Sequence, residues 1–120
     1  MKILIVDDSR VMRQIVVRSL RQAGHTGHEL VEAGDGVEGL RAYAAHSPEL
    51  VLSDWAMPEM SGLELLTALR SRGDDVPFLF VTWERSAEVL NRAEAAGALG
   101  VVPKPFTADL LREALRPVLG

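Results

Sequence analysis

Acidic residues that could hold a cation follow two segments that lie far apart in the chain. Asp7 and Asp8 come directly after an apolar run at residues 3–6, and Asp54 follows a largely apolar segment at 50–53. Adjacent acids after a strand could simply cap a helix, because Asp and Ser accept hydrogen bonds from the free N–H groups of a first helical turn. The other interpretation is a cation site, which requires further acids and a counter-charge from distant parts of the chain.

A hydroxyl group and an ammonium group follow two further apolar runs. Thr82 comes after the run at residues 78–81, and Lys104 follows the run at 99–102 after one proline. If these runs are neighbouring parallel strands, their carboxyl ends meet at one edge of a sheet, where ligands bind in such folds. The hydroxyl group and the lysine would then lie beside the three acids.

The charges expected at that edge favour a bound metal ion. Two like charges about 4 Å apart repel by about 4 kcal/mol at an effective dielectric constant of about 20. Three carboxylates beside one lysine would therefore destabilise the protein unless a cation shared the site. Oxygen ligands without His or Cys favour a hard divalent ion, and a shallow site with room for water and phosphate favours Mg²⁺ over Ca²⁺.

The apolar runs alternate with longer segments of helical spacing. The four runs lack polar alternation, which is typical of strands covered on both faces in a parallel sheet, and a weaker strand is expected at residues 28–33. Five alternations of strand and helix predict a doubly wound α/β fold, with a five-stranded parallel sheet and five helices. Right-handed crossovers in a short chain favour the strand order 2-1-3-4-5, which is known among doubly wound folds.

The helical segments also have predictable faces and ends. In the first helix, the apolar stripe that includes Val11 is predicted to face the core, and the arginines, including Arg13, are predicted to point into solvent. Ser61 and Glu64 have the spacing of a capping box at the start of the third helix. The last helix is predicted to bury Leu110 together with its other apolar residues.

The composition is that of an ordinary globular protein. The 120 residues are 48% hydrophobic and 25% charged, include 13 basic and 17 acidic residues, and contain no cysteine. We expect one domain at residues 1–120, and the net charge of -4 argues against nonspecific nucleic-acid binding. The first apolar run is shorter than the ~7–15 residues of a signal peptide's apolar region. These features predict a cytoplasmic protein that does not associate with membranes.

Four sequence blocks together resemble a known family. They are, in chain order, "IVDDS", "LVLSDWAMPEMSG", "FVT" and "PKPF". Together they are similar to the signature of the response regulator receiver domain, the CheY-like module of two-component signalling. The resemblance extends over the whole chain. It implies a CheY-like fold in which Asp8 and Asp54 bind Mg²⁺ with the backbone carbonyl of Ala56, while Asp7 contributes through a water molecule.

The resemblance also implies a signalling role. Asp54 would be the phosphoacceptor, Lys104 would pair with the incoming phosphoryl group, and Thr82 would later donate a hydrogen bond to that group. In the family, the Lys104–Pro105 peptide bond is usually cis. The donor would be a phosphohistidine on a sensor histidine kinase or phosphotransfer protein. The output would be a downstream protein bound at the face formed by the fourth helix, fifth strand and fifth helix, and the resemblance also allows a phosphorylation-dependent homodimer.

Several positions near the predicted site depart from the family pattern or vary within it. Val101 stands where an aromatic residue is common, so the usual aromatic switch is missing. Trp83 stands where a small residue is usual, which suggests slow reaction with small phosphodonors and a long-lived phosphoryl group. Ala56 and Glu84 flank the expected approach of an attacking water, and of these two only Glu84 can hydrogen-bond that water.

Three other functions fit parts of the sequence. The segment "AGDGVEGL" contains Gly34, Gly36 and Gly39 in the spacing of a dinucleotide-binding motif, but it follows the second strand, and a turn with Asp35 as helix N-cap explains it. Haloacid-dehalogenase-type phosphohydrolases combine the same residue types in a different chain order. A receiver-like interaction module that is never phosphorylated is the third alternative. We expect that the protein is not an enzyme, and that it catalyses at most its own phosphorylation and dephosphorylation.

Overall fold

The computed structural model describes residues 1–120 and contains one parallel sheet. All four strand pairings are parallel, and the strand order is β2-β1-β3-β4-β5, which confirms the predicted order. The strands are β1 at Lys2–Val6, β2 at Glu29–Ala33, β3 at Leu50–Ser53, β4 at Phe78–Thr82 and β5 at Gly100–Pro103.

Five helices connect the strands and cover the sheet. They are α1 at Arg10–Gln22, α2 at Gly36–His46, α3 at Gly62–Ser71, α4 at Ala87–Ala95 and α5 at Ala108–Leu119. The core on one face of the sheet includes residues of α1 and α5, and the core on the other face includes residues of α3 and α4. The alternation of strands and helices therefore produces the predicted doubly wound α/β fold.

The core follows the two-residue period of the strands. In β1, Ile3 and Ile5 pack into the core beneath α1 and α5, whereas Leu4 and Val6 pack into the opposite core. All four are at most 1% exposed, as expected for a central parallel strand without polar alternation. The edge strand β2 is only partly covered, which explains its weaker signal in the sequence.

Several local predictions are confirmed. The Ser61 hydroxyl accepts a hydrogen bond from the Glu64 N–H, and the Glu64 carboxylate accepts one from the Ser61 N–H, so the capping box is complete. Asp35 caps α2 by accepting a hydrogen bond from Glu38 N at 2.8 Å. These caps satisfy N–H groups that have no partner within the helix.

Three predictions about helix faces are wrong. Val11 is 65% exposed and Leu110 is 42% exposed, because each lies beside the buried stripe of its helix rather than in it. The Arg13 side chain does not point into solvent but is only 17% exposed, and it contacts the ends of two strands.

None of the helices has the length and apolar character needed to cross a lipid bilayer.

Candidate functional site

The ends of four strands, β1, β3, β4 and β5, bring the predicted site residues together. Asp54 N donates to the carbonyl of Val6 at 2.9 Å, so the turn after β3 continues the ladder with β1. Lys104 N donates to the carbonyl of Thr82 at 2.9 Å, which extends the pairing of β4 with β5 in the same way. Parallel register therefore sets residues that are far apart in sequence side by side at the carboxyl edge of the sheet.

Lys104 forms two buried ion pairs with acids from different strand ends. Its Nζ atom lies 2.8 Å from Asp7 Oδ2 and 3.1 Å from Asp54 Oδ2. The side chains of Lys104, Asp7 and Asp54 are only 1%, 5% and 9% exposed. Buried charges are tolerated when they are paired and hydrogen-bonded, so this arrangement depends on all three groups.

Backbone N–H groups hold the other oxygens of these two carboxylates. Asp7 Oδ1 accepts from Ser9 N at 2.9 Å, and Asp54 Oδ1 accepts from Trp55 N at 2.7 Å. Both acids are therefore oriented from two sides. The Ser9 hydroxyl in turn caps α1 by accepting from Met12 N, so the helix-cap interpretation of this segment applies to Ser9, while the acids face the cleft.

Asp8 completes a cluster of three acids suited to a metal ion. One carboxylate oxygen from each of Asp7, Asp8 and Asp54 lies within 4.8 Å of the others, and Asp8 is exposed. Lys104 offsets only one of the three negative charges. The oxygen-only donor set, the uncompensated charge and the access from solvent fit a hard divalent cation such as Mg²⁺.

An open cleft of about 450 Å³ gives access to this cluster. Ala56 lines it after β3, which places its backbone among the candidate ligands, and Thr82 lines it from the end of β4. Thr82 is 1% exposed, and its Oγ1 atom accepts a hydrogen bond from Glu84 N at 3.3 Å. The remaining lining residues are Asp7, Asp8, Ser9, Met12, Asp54, Trp83, Glu84 and Lys104.

The residues predicted to modulate the site fall into two groups. Trp83 and Glu84 line the cleft, and Trp83 is 61% exposed. Val101 does not line the cleft but contributes to a separate groove of about 410 Å³ between α4 and β5. Pro105 is exposed and follows Lys104 through a cis peptide bond, as the resemblance implies.

Two glycines support the site by allowing close approach of the backbone. The sequence did not indicate this role for Gly62, and it suggested only a turn for Gly36. A Cβ on Gly62, at the start of α3, would collide with the carbonyl oxygen of Asp54. A Cβ on Gly36 would collide with the carbonyl oxygen of Met60 in the loop after β3. The glycines that formally resembled a dinucleotide motif thus include one that is needed for close packing of α2 against this loop.

Arg13 also contributes to the site, contrary to the expectation that it points into solvent. Its Nη1 atom donates to the backbone carbonyl of Asp7 at 2.6 Å. Hydrophobic periodicity cannot reveal this contact, because an arginine beside the apolar stripe can turn either way. Only the position of the strand ends decides its direction.

The fold and the site together define a CheY-like receiver domain. The family model of the response regulator receiver domain matches residues 3–116. A chemotaxis protein CheY homolog from Campylobacter jejuni is 38% identical over 123 aligned residues, which cover 100% of this chain and 93% of that protein. The chain therefore belongs to the response regulator receiver family and is of the CheY type.

Solved structures agree with this membership. The chemotaxis protein CheY4 of Vibrio cholerae is 37% identical and superimposes with a TM-score of 0.86, covering 98% of both chains. A response regulator receiver domain protein from Clostridium thermocellum is 27% identical, with a TM-score of 0.83 and coverage of 97% of this chain and 91% of that one. The similarity thus extends over nearly the whole fold.

Proposed function

We propose that this protein is the phosphoacceptor of a two-component system and that Asp54 accepts a phosphoryl group from a phosphohistidine. The observation that supports this most directly is the ion-paired arrangement of Asp54, Lys104 and Asp7 at the floor of an open acidic cleft. The donor is a sensor histidine kinase or a phosphotransfer protein. This role fits the membership of the receiver family, whose CheY-type relatives include chemotaxis proteins.

The chemistry needs one nucleophile and several positioned charges. A carboxylate oxygen of Asp54 attacks phosphorus, the P–N bond to the donor imidazole breaks, and the imidazole leaves with the electron pair of that bond. Lys104 pairs with the phosphoryl oxygens, so the protein mainly positions the groups and stabilises negative charge. Asp8, Asp54 and the Ala56 carbonyl would hold Mg²⁺, with Asp7 contributing through water, and the bound ion would supply further positive charge.

The hydroxyl group of Thr82 is the proposed sensor of the phosphoryl group. Its only hydrogen bond is accepted from Glu84 N at 3.3 Å, a long contact that can be exchanged at low cost. A phosphoryl oxygen on Asp54 is a charged acceptor to which the Thr82 hydroxyl can donate its proton. We therefore expect the Thr82 side chain to turn toward Asp54 after phosphorylation. The loop between β4 and α4 moves with Thr82, and the balance between conformations of the α4-β5-α5 face shifts.

Because Val101 stands at the position of the usual aromatic residue, this switch works without rotation of an aromatic side chain. The groove that Val101 lines is bordered by Leu90 and Leu99, which are 47% and 37% exposed. We propose that a downstream protein partner binds at this face, which includes the groove, and that a phosphorylation-dependent homodimer is a further use of it. The movement of Thr82 and its loop, rather than aromatic rotation, then carries the signal to the partner.

Intact-mass measurement tests the proposed acceptor. Wild type and Asp54→Asn are incubated with Mg²⁺ and with either a small phosphodonor or a promiscuous histidine kinase. We expect one retained phosphoryl group on wild type and none on Asp54→Asn. A wild type that is never phosphorylated by the kinase supports the interaction module instead. Equal labelling of the two proteins would assign the acceptor to another residue.

A phosphomonoester distinguishes the receiver from a phosphohydrolase. Continuous release of phosphate from a generic phosphomonoester would support the haloacid-dehalogenase-like alternative, whereas we expect no turnover. The chain order already favours the receiver, because the phosphohydrolase pattern places a second Asp two residues after the nucleophile on the first strand, and here Ser9 follows Asp7 by two residues. The absence of other enzymatic activity and the cytoplasmic location stay predictions.

A further inference from the structure

The side chain of Arg13 joins three elements directly behind the acid pair. Its Nη1 atom lies 2.6 Å from the carbonyl oxygen of Asp7, and its Nε atom lies 2.9 Å from Glu32 Oε1. Arg13 belongs to α1, Asp7 follows β1 directly, and Glu32 lies on β2. Hydrogen bonds from a charged donor are shorter and stronger than neutral ones, so this guanidinium holds the Asp7 carbonyl firmly.

The carbonyl group of Asp7 belongs to the peptide unit that carries Asp8. This unit is planar, so a fixed carbonyl oxygen also fixes the direction of the Asp8 N–H and the position of its Cα atom. Every other polar group of Asp7 has a partner: its N–H donates to Ala33, and its two carboxylate oxygens accept from Ser9 and Lys104. Arg13 completes this set.

Asp8 has no comparable support of its own. Its side chain is exposed and forms none of the ion pairs in the structure. The place of its carboxylate is therefore set mainly by its backbone, and that backbone is oriented by the bond from Arg13 to Asp7.

We propose that Arg13 is a positioning residue for magnesium binding, which acts by orienting the Asp7–Asp8 peptide. This inference rests on the proposed function, because it concerns the same metal site. Glu32 serves to aim the guanidinium and to neutralise its charge. Groups that orient metal ligands without touching the metal typically change metal affinity by about 10–100-fold when they are replaced.

Replacement of Arg13 should change the affinity for Mg²⁺ in opposite directions, depending on whether Arg13 acts by positioning or only by its charge. Removing a positive charge near three carboxylates would by itself strengthen Mg²⁺ binding. Loss of positioning weakens it. Arg13→Met keeps an apolar stem but has no donor, and we expect it to raise the Kd for Mg²⁺ by about tenfold or more. Arg13→Gln is the second variant, and its polar side chain keeps the test available if Arg13→Met does not fold.

Two other arginines provide matched controls. Arg10→Ala removes the same charge from an exposed position one turn earlier in α1 and should leave Mg²⁺ affinity unchanged or slightly stronger. Arg70→Ala removes a guanidinium that donates to the carbonyls of Asp74, Val76 and Gly97 at the opposite end of the sheet. It should lower the unfolding midpoint without changing Mg²⁺ affinity, which isolates loss of stability from loss of positioning.

The Kd is measured by Mg²⁺ titration of tryptophan fluorescence, and Mn²⁺ binding by electron paramagnetic resonance gives an independent value. Phosphorylation of the Arg13 variants should be slow at low Mg²⁺ and recover at saturating Mg²⁺. Wild-type affinity in a folded Arg13→Met or Arg13→Gln variant would overturn the proposal. Failure of wild type itself to bind Mg²⁺ would instead contradict the proposed function, so the two failures are distinguishable.

Discussion

The centre of the Trp83 ring lies 6.0 Å from the Nζ atom of Lys104. Trp83 lines the cleft above the buried lysine, and its other surface is open to solvent. A bulky ring at this place restricts the approach of small molecules from the side of β4. A phosphoryl group bound beside Lys104 would be screened by the same ring.

Replacement of Trp83 tests this screening. We expect Trp83→Ala to react several-fold faster with small phosphodonors and to lose its phosphoryl group several-fold faster, because both reactions require access past the ring. Time courses of intact mass measure both rates, and Trp83→Phe should give intermediate values because it keeps part of the bulk. Rates that do not change in Trp83→Ala would contradict the idea.

Lys104 is predicted to be essential for stability when no metal is bound. Lys104→Met leaves the carboxylates of Asp7 and Asp54 buried without a cation, and removal of one partner from a buried ion pair typically costs about 3–5 kcal/mol. Denaturant unfolding without Mg²⁺ should show a loss of this order. Added Mg²⁺ should restore part of it, because a ligand that binds only the native state stabilises that state.

The matched control for Lys104 is an exposed lysine. Lys2 pairs with Glu29 at 3.2 Å, but their side chains are 33% and 65% exposed. Surface pairs of this kind contribute about 0–1 kcal/mol, so Lys2→Met should change the unfolding free energy by no more than that. Equal losses in the two variants would show that burial of the Lys104 ion pairs does not matter.

Gly62 is predicted to tolerate no side chain. Gly62→Ala would push a Cβ into the carbonyl oxygen of Asp54 and toward the ring of Phe80, and overpacking of a buried position typically costs about 1–3 kcal/mol. Denaturant unfolding measures the loss, and slower phosphorylation of Asp54 should accompany it. In Gly100→Ala the new Cβ would lie 3.7 Å from Leu79, an ordinary contact, so that variant should be at least as stable as wild type.

His25 is predicted to make stability depend on pH. Burial lowers the pKa of His25, and the positive charges of His28 and Arg112 lower it further. The unfolded chain then binds a proton more readily, so the free energy of unfolding is highest above about pH 6.5 and falls as the pH decreases toward the folded-state pKa. Its Nε2 atom is also buried without a hydrogen-bond partner.

Unfolding at a series of pH values checks this prediction. The change in unfolding free energy between neutral and mildly acidic pH should be smaller in His25→Gln than in wild type. A His25→Gln profile identical to that of wild type would mean that this histidine does not contribute.

The amino-acid sequence by itself determined the order of elements and the residue types at the strand ends. Apolar runs without polar alternation specify buried parallel strands, and each central run is followed by a polar group, as with Asp7, Asp54 and Thr82. Parallel strands share one carboxyl edge, so this pattern alone implies that the groups meet. Helix caps such as Ser61 are equally local, because their hydrogen bonds span only three residues.

Only the tertiary structure decided how these groups contact one another. The two ion pairs of Lys104 join residues 97 and 50 positions apart, and no local pattern specifies which oxygen each carboxylate presents. Arg13 turns toward the Asp7 carbonyl because two strand ends and Glu32 lie there, not because of its place on the helix. Gly36 and Gly62 are needed because the loop after β3 approaches both of them closely, and such distances depend on the packing of the fold.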